Sequence, residues 1–207
     1  MPSVETVRGP VDTGELGPTL MHEHIFILQP EALQNYGHTF GGYWDEEERV
    51  ADAIAKLTRL HEGGIHTIVD PTVLGLGRYI PRVQRVNESV DLNIIVATGV
   101  YAFLELPNFF GYRSADAIAE VFVREIREGI DDTGVKAAFL KCAVERHGIV
   151  GDVPRVLEAI AKASIETGAP VMVHTNSAAK MGLPALETLT GHGVDPGRIV
   201  IAHTGDS

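Results

Sequence analysis

The chain has 207 residues, of which 44% are hydrophobic and 22% are charged, so it is long enough to bury one sizeable core. Its formal net charge of −11, without a cluster of lysine and arginine, argues against nucleic acid or an anionic membrane as a partner. A single cysteine excludes an intrachain disulfide, and no apolar stretch reaches membrane-spanning length. Since the N-terminus also lacks the apolar core of a signal peptide, we expect a soluble, cytoplasmic protein with one domain over residues 1–207.

Short apolar runs rich in β-branched residues alternate with amphipathic helical patterns along the chain. Ahead of them, residues 3–12 place two short strand-like runs on either side of an Arg-Gly-Pro turn, which predicts a small hairpin. The apolar runs predict six further strands, at 18–26, 65–71, 93–100, 135–144, 170–175 and 199–204.

Caps and apolar stripes mark three helices between these strands. Asp45 caps the first, which covers 45–62, and a pair of glycines follows it. Ser114 opens the second, over 114–130, and the third covers 152–168 with a proline in its first turn and a glycine at its end. Because strands alternate with helices, the chain is predicted to have an α/β fold built on a parallel sheet.

Two histidines, His22 and His24, lie near the end of the first predicted strand. Residues two apart in a strand point to the same face, so both imidazoles can reach one point. Convergent imidazoles are typical ligands of a divalent metal ion. The alternative is a strand end that carries two polar residues without binding a metal.

Polar residues also interrupt or end three later strands, at Lys141, His174 and His203. The carboxyl ends of parallel strands lie at one edge of the sheet, so these side chains and the His22/His24 pair are predicted to converge there. Taken singly, a histidine at a strand end commonly donates to a backbone carbonyl, and a lysine can extend to the rim of the sheet. Their joint occurrence favours a metal centre.

Lys141 distinguishes among kinds of metal centre. A protonated amine cannot bind a cation, so a lysine among metal ligands must be neutral or modified. Burial in an apolar strand lowers the pKa of a lysine, and a neutral amine can add carbon dioxide to form a carbamate. The carbamate has two oxygens and one negative charge, which suit it to bridge two metal ions. Such a centre indicates hydrolytic chemistry.

Eight segments, spread from end to end of the chain, carry a resemblance to a known family: 8–12 (RGPVD), 16–24 (LGPTLMHEH), 67–70 (TIVD), 75–79 (GLGRY), 97–101 (ATGVY), 140–142 (LKC), 173–176 (VHTN) and 202–206 (AHTGD). In these segments, which follow family order, the chain resembles the phosphotriesterase family of the amidohydrolase superfamily, and within it the phosphotriesterase-like lactonase branch. The resemblance implies a (β/α)8 TIM barrel, of which about six of the eight βα units lie in this chain.

The resemblance also implies a site with two divalent metal ions, most commonly zinc, with iron, cobalt or manganese as alternatives. His22 and His24 would bind the more buried ion, and His174 and His203 the more exposed one. Carboxylated Lys141 and a hydroxide would bridge the two ions. Tyr101 would be a catalytic residue that points at this bridge and helps to position the substrate carbonyl; the alternative is a packing aromatic at the barrel mouth.

The activity implied by the resemblance is hydrolysis of ester bonds. The substrates would be lactones such as N-acyl-homoserine lactones, with promiscuous hydrolysis of phosphotriesters of the aryldialkylphosphatase type, by a homodimer. A second hypothesis is another amidohydrolase that acts on cyclic amides. A third is an inactive or binding protein that keeps the fold without turnover.

The family barrel needs about 250 residues, so two βα units are expected to be absent from this chain. The metal-binding aspartate at the end of the family's eighth strand would be absent with them. We therefore expect a fragment of a longer enzyme that is inactive or nearly inactive by itself. A short homologue completed by a partner chain and a misassigned reading frame are the alternatives.

Overall fold

The structure is a computed structural model that describes residues 2–39 and 44–205. Its N-terminal strands β1 (Ser3–Thr6) and β2 (Gly9–Asp12) pair antiparallel, so the predicted hairpin is confirmed. A short 3-10 helix, Thr13–Glu15, follows the hairpin. Asp206, quoted above in the last family-like segment, lies outside the described residues.

Six further strands form a parallel sheet in chain order, and they confirm the α/β prediction. The pairing between the first two of these strands covers only two residues of each. In the third strand, residues 93–96 pair with the strand before it and residues 97–99 with the strand after it. The strands are β3 (Thr19–Leu20), β4 (Thr67–Asp70), β5 (Asn93–Gly99), β6 (Phe139–Val144), β7 (Val171–Thr175) and β8 (Ile199–Ala202).

All six of these strands are shorter in the structure than predicted, and the differences are most important at the first, fourth and sixth. The prediction of a strand over 18–26 is wrong beyond residue 20, because the chain turns away from the ladder after two pairs with β4. His22 and His24 therefore lie in an irregular segment. Residues 135–138 precede β6 without pairing, and β8 ends one residue before His203.

The helices lie between the strands, and the three predicted from caps are present. The Asp45 carboxylate accepts a hydrogen bond from the Glu48 amide, and the Ser114 hydroxyl accepts one from the Ala117 amide, as N-caps do. Gly168 ends the third in the left-handed conformation. The helices are α1 (Pro30–Tyr36), α2 (Glu46–Glu62), α3 (Ile80–Ser89), α4 (Asn108–Gly111), α5 (Ala115–Arg127), α6 (Val153–Thr167) and α7 (Gly182–Gly191).

The chain divides into two compact units, Met1–Thr72 with Leu76–Val96, and Val73–Gly75 with Ala97–Ser207. The single domain expected over residues 1–207 stays a prediction. In the second unit, the apolar faces of α5 and α6 pack together and cover one face of β6 and β7. Cys142 is fully buried in this core, and burial raises the pKa of its thiol to about 12. No described helix is both long and apolar enough to cross a membrane.

Candidate metal centre

The two histidines of the first unit lie in the irregular segment that follows β3. Their rings are close to each other, with centroids 5.3 Å apart and ring planes inclined by 72°. Both residues are partly buried. The backbone of this segment is tied to the end of β4, because the Glu23 amide donates to the Val69 carbonyl at 3.1 Å. The expected proximity of the pair is therefore present, although the strand that was expected to produce it is not.

Two polar residues at and just after the end of β4 contact His24, and neither was among the predicted site residues. Nδ1 of His24 lies 2.7 Å from the Thr72 hydroxyl and 3.7 Å from the Asp70 carboxylate. Asp70 accepts hydrogen bonds from the Thr72 amide and hydroxyl. Burial raises the pKa of Asp70 to about 6. The sequence holds a signal for Asp70, because this residue ends an apolar strand as the selected histidines do.

Lys141 is the third residue of β6, in the second unit, and it is fully buried. No residue in the described ranges accepts a hydrogen bond from its Nζ atom. Burial lowers the pKa of this amine to about 8. A buried nitrogen that makes no hydrogen bond is destabilising, and the lowered pKa makes the neutral amine of Lys141 more accessible near neutral pH than that of an exposed lysine.

His174 lies on the same face of the sheet as Lys141. Lys141 pairs with Met172 on β7, and His174 follows two residues later. Burial, followed by the charge of Lys141, lowers the pKa of the His174 imidazole. The structure therefore places these two predicted ligands near each other on one face of the sheet.

His203 reaches the same group by an unusual backbone conformation. It follows Ala202, which pairs with His174, so simple alternation would turn its side chain to the opposite face. Its φ is 65°, in the left-handed region that few non-glycine residues adopt. The ring centroids of His203 and His174 lie only 4.5 Å apart.

Tyr101 belongs to this group as well, and so does a residue that the sequence analysis missed. The Tyr101 ring lies 5.1 Å from that of His174, and its hydroxyl donates a hydrogen bond to Glu145. Nε2 of His174 is 3.1 Å from the same Glu145 oxygen. Burial, followed by the Glu145 hydrogen bond, raises the pKa of Tyr101. Burial opposes ionisation of Glu145, but Tyr101 and His174 together hold the pKa of its carboxyl below the usual value.

The donors of each unit suit a divalent cation chemically. The first offers two imidazoles, and the second offers two imidazoles beside a buried amine without a hydrogen-bond partner. Across residues 2–39 and 44–205, no three or more His, Cys, Asp or Glu side chains are grouped closely enough to hold a metal ion. A lysine-derived carbamate would add the oxygen ligands that such a group of unmodified residues lacks. Metal binding by these residues stays a prediction.

Known proteins share both the sequence and the fold. Residues 2–207 match the model of the phosphotriesterase family. A phosphotriesterase homology protein from Mycobacterium tuberculosis is 48% identical to this chain over 214 residues. An aryldialkylphosphatase from Saccharolobus solfataricus is 39% identical, over 95% of this chain and 62% of that protein.

A solved structure gives the same result. The structure of the phosphotriesterase from Mycobacterium tuberculosis matches with a TM-score of 0.93 and 48% identity, over 100% of this chain and 65% of that one. This similarity confirms the predicted TIM-barrel fold class, with six parallel strands in this chain. The chain spans about 65% of the length of the relatives that match all of it.

Proposed function

The chain belongs to the phosphotriesterase family, and from that membership we propose that the protein is a metal-dependent hydrolase of lactones with promiscuous phosphotriesterase activity. The observation that carries this proposal is the buried amine of Lys141. It is fully enclosed within β6, it has no hydrogen-bond partner among the described residues, and it lies on the same face of the sheet as His174. A lysine without a function at this position would normally extend its amine to solvent rather than bury it.

The proposed metal ligands are the five residues that the sequence analysis selected. His22 and His24 would hold one divalent ion, His174 and His203 the other, and Lys141, carboxylated by carbon dioxide, would bridge them. Zinc is the proposed metal, because imidazole and carboxylate-like oxygen are among its usual ligands. When bound, the two ions supply positive charge that polarises the substrate and activates water for attack.

Tyr101 and Glu145 supply the proposed positioning of the substrate. The hydrogen bond to Glu145 fixes the direction of the Tyr101 hydroxyl, beside the His174 ring. Because the single hydroxyl proton is donated to Glu145, the Tyr101 ring would orient a lactone by contact, and a ring held in place loses no rotational freedom when the substrate binds. The Glu145 carboxylate also accepts a hydrogen bond from His174, so one side chain fixes the positions of both the Tyr101 and the His174 rings.

The choice of substrate rests on two supports of different kinds. The aryldialkylphosphatase relative supports hydrolysis of phosphotriesters. The lactone preference rests on the likeness of this chain to the lactonase branch, including Tyr101. Both substrates pass through oxyanionic transition states that one pair of cations can stabilise.

The proposal extends to a homodimer in the cytoplasm. Its support is an exposed aromatic surface after β5, where Phe103, Phe109 and Tyr112 expose 59%, 66% and 99% of their surface. Exposed apolar clusters commonly mark interaction sites. Light scattering coupled to size-exclusion chromatography measures the mass in solution, and a monomeric mass would contradict the dimer.

A kinetic comparison tests the proposed function. The full-length protein encoded by the gene is loaded with zinc. It is assayed against a series of lactones, a phosphotriester and a cyclic amide, with and without a chelator. We expect metal-dependent hydrolysis that is fastest with a lactone. Faster hydrolysis of the cyclic amide, or no metal-dependent rate with any substrate, would contradict the proposal. The same assay on residues 1–207 alone tests the expected inactivity of that piece.

A further inference from the structure

We propose that Thr72 and Asp70 are positioning residues that set the orientation and the tautomer of His24. The inference rests on the proposed function, because it concerns the ability of His24 to bind a divalent ion. All three residues belong to the first unit. Thr72 exposes 6% and Asp70 exposes 3% of its surface, so water cannot readily replace either contact.

The backbone around His24 explains why such positioning is needed. β3 ends at Leu20, so the ladder of hydrogen bonds with β4 does not continue to the histidines. Besides the backbone bond from Glu23 to Val69, two side chains hold the segment: Asp70, the last residue of β4, and Thr72. The Asp70 carboxylate accepts from the Ile25 amide at 3.5 Å, and the Thr72 hydroxyl contacts the Phe26 carbonyl at 3.3 Å. The Asp70–Thr72 pair therefore adds side-chain contacts that hold the segment where the ladder has ended.

The hydrogen-bond directions follow from the chemistry of the three groups. The Thr72 hydroxyl has one proton to donate. The Asp70 carboxylate is the better acceptor, because its oxygen lies 2.5 Å from the hydroxyl oxygen, whereas the Phe26 carbonyl oxygen lies 3.3 Å away. The hydroxyl oxygen then accepts from Nδ1–H of His24 at 2.7 Å. An imidazole with its proton on Nδ1 carries its lone pair on Nε2, which is the atom that this tautomer offers to a metal.

A buried carboxylate strengthens this relay. Among the described residues, no lysine or arginine forms an ion pair with Asp70, although a buried charge is normally paired. Its hydrogen-bond donors are the Thr72 amide, the Thr72 hydroxyl and the Ile25 amide. A carboxylate behind a metal-binding histidine orients the ring and makes it a better donor.

Variants of Thr72 test the inference through metal affinity. Zinc affinity is measured on the full-length protein by competition with a chromophoric chelator. Thr72→Val keeps the shape of the side chain and removes the hydroxyl, and we expect it to weaken binding at one site by roughly 10- to 100-fold. Thr72→Ser restores the hydroxyl and is expected to restore affinity. Thr72→Ala carries the same expectation as Thr72→Val in a smaller side chain, should the valine variant not fold.

The matched control is Thr67→Val, on β4 in the same unit. The Thr67 hydroxyl is also buried, but its hydrogen bonds are with other groups: it donates to the Leu16 carbonyl and accepts from the Asn93 side-chain amide. We expect the control to lose stability like Thr72→Val and to bind zinc like wild type. Equal zinc affinity in wild type and Thr72→Val, or a loss in Thr72→Val that serine does not restore, would overturn the inference. Absence of zinc binding by wild type would instead refute the proposed function.

Discussion

His203 combines a predicted metal-binding side chain with a strained backbone. Its φ of 65° costs a residue with a Cβ atom roughly 1–2 kcal/mol, and glycine or asparagine adopts this conformation more readily. The conformation brings its ring to 4.5 Å from that of His174. Strain of this kind persists where the surrounding structure enforces it, and it is concentrated at functional sites.

Replacement of His203 by asparagine should separate strain from metal binding. His203→Asn tolerates the left-handed backbone, so we expect its free energy of unfolding in the metal-free state to stay at or above that of wild type. His203→Ala keeps the strain and is the matched control. Both variants should bind less zinc than wild type, as measured by elemental analysis. Full zinc content in His203→Asn would show that this side chain is not a ligand.

Glu145 and Tyr101 should act as one unit because a single hydrogen bond joins them. We expect Glu145→Ala to reduce kcat for a lactone by up to about 100-fold, since the hydroxyl of Tyr101 loses its fixed direction. Tyr101→Phe should give a similar loss. The double variant should be no slower than the slower single variant, which a double-mutant cycle of kcat measures. Fully additive losses would mean that the two residues contribute independently.

At the scale of elements, β5 and β6 approach each other more closely than a side chain would allow. A Cβ atom on Gly99 would lie 1.9 Å from the carbonyl oxygen of Lys141, and the φ of Gly99 is 133°. Both facts require glycine at this position. The glycine therefore sets the distance between β5 and the strand that carries the proposed bridging residue.

Gly99→Ala should consequently displace β6. We expect a loss of about 3 kcal/mol or more in the free energy of unfolding, because backbone atoms cannot move aside as a flexible side chain can. Gly191→Ala, at the end of α7, is the control, since a Cβ atom there meets nothing within 4 Å. It should change stability by less than about 1 kcal/mol. Urea denaturation measures both, and equal stability of the two variants would contradict this account.

The elements that could be predicted from sequence are those with local signals. α2 and α5 each have a side-chain N-cap and an apolar stripe, and both were predicted. α6 has no side-chain cap either, but the proline in its first turn and the glycine at its end predicted it, whereas α3 and α7, also without a side-chain cap, were not predicted. β3 was predicted too long because an apolar run does not reveal where pairing with β4 ends.

The site shows the same division between local and tertiary information. Lys141 and the four histidines were selectable because each interrupts or ends an apolar run. The contact of Thr72 with His24 and that of Glu145 with Tyr101 join residues 48 and 44 positions apart, so no local pattern could reveal them. The left-handed conformation of His203 also depends on tertiary structure, because its local sequence contains no signal for it.

At the scale of the whole molecule, six parallel strands in chain order confirm the predicted α/β topology. The four proposed ligand histidines and the proposed bridging lysine come from the segments that follow or form four of these strands. His22 and His24 lie in the first unit, and Lys141, His174 and His203 lie in the second. The central claim is that Lys141 acts in this group as a carbamate.

Carbon-13 NMR tests that claim most directly. The full-length protein is loaded with zinc in buffer that contains ¹³C-bicarbonate. It is compared with the Lys141→Met variant, in which an apolar side chain of similar length replaces the amine. We predict one carbamate resonance in wild type, none in Lys141→Met, and a lower zinc content in that variant. Wild-type protein that binds zinc and hydrolyses lactones without a carbamate resonance, or a resonance that persists in Lys141→Met, would contradict the account.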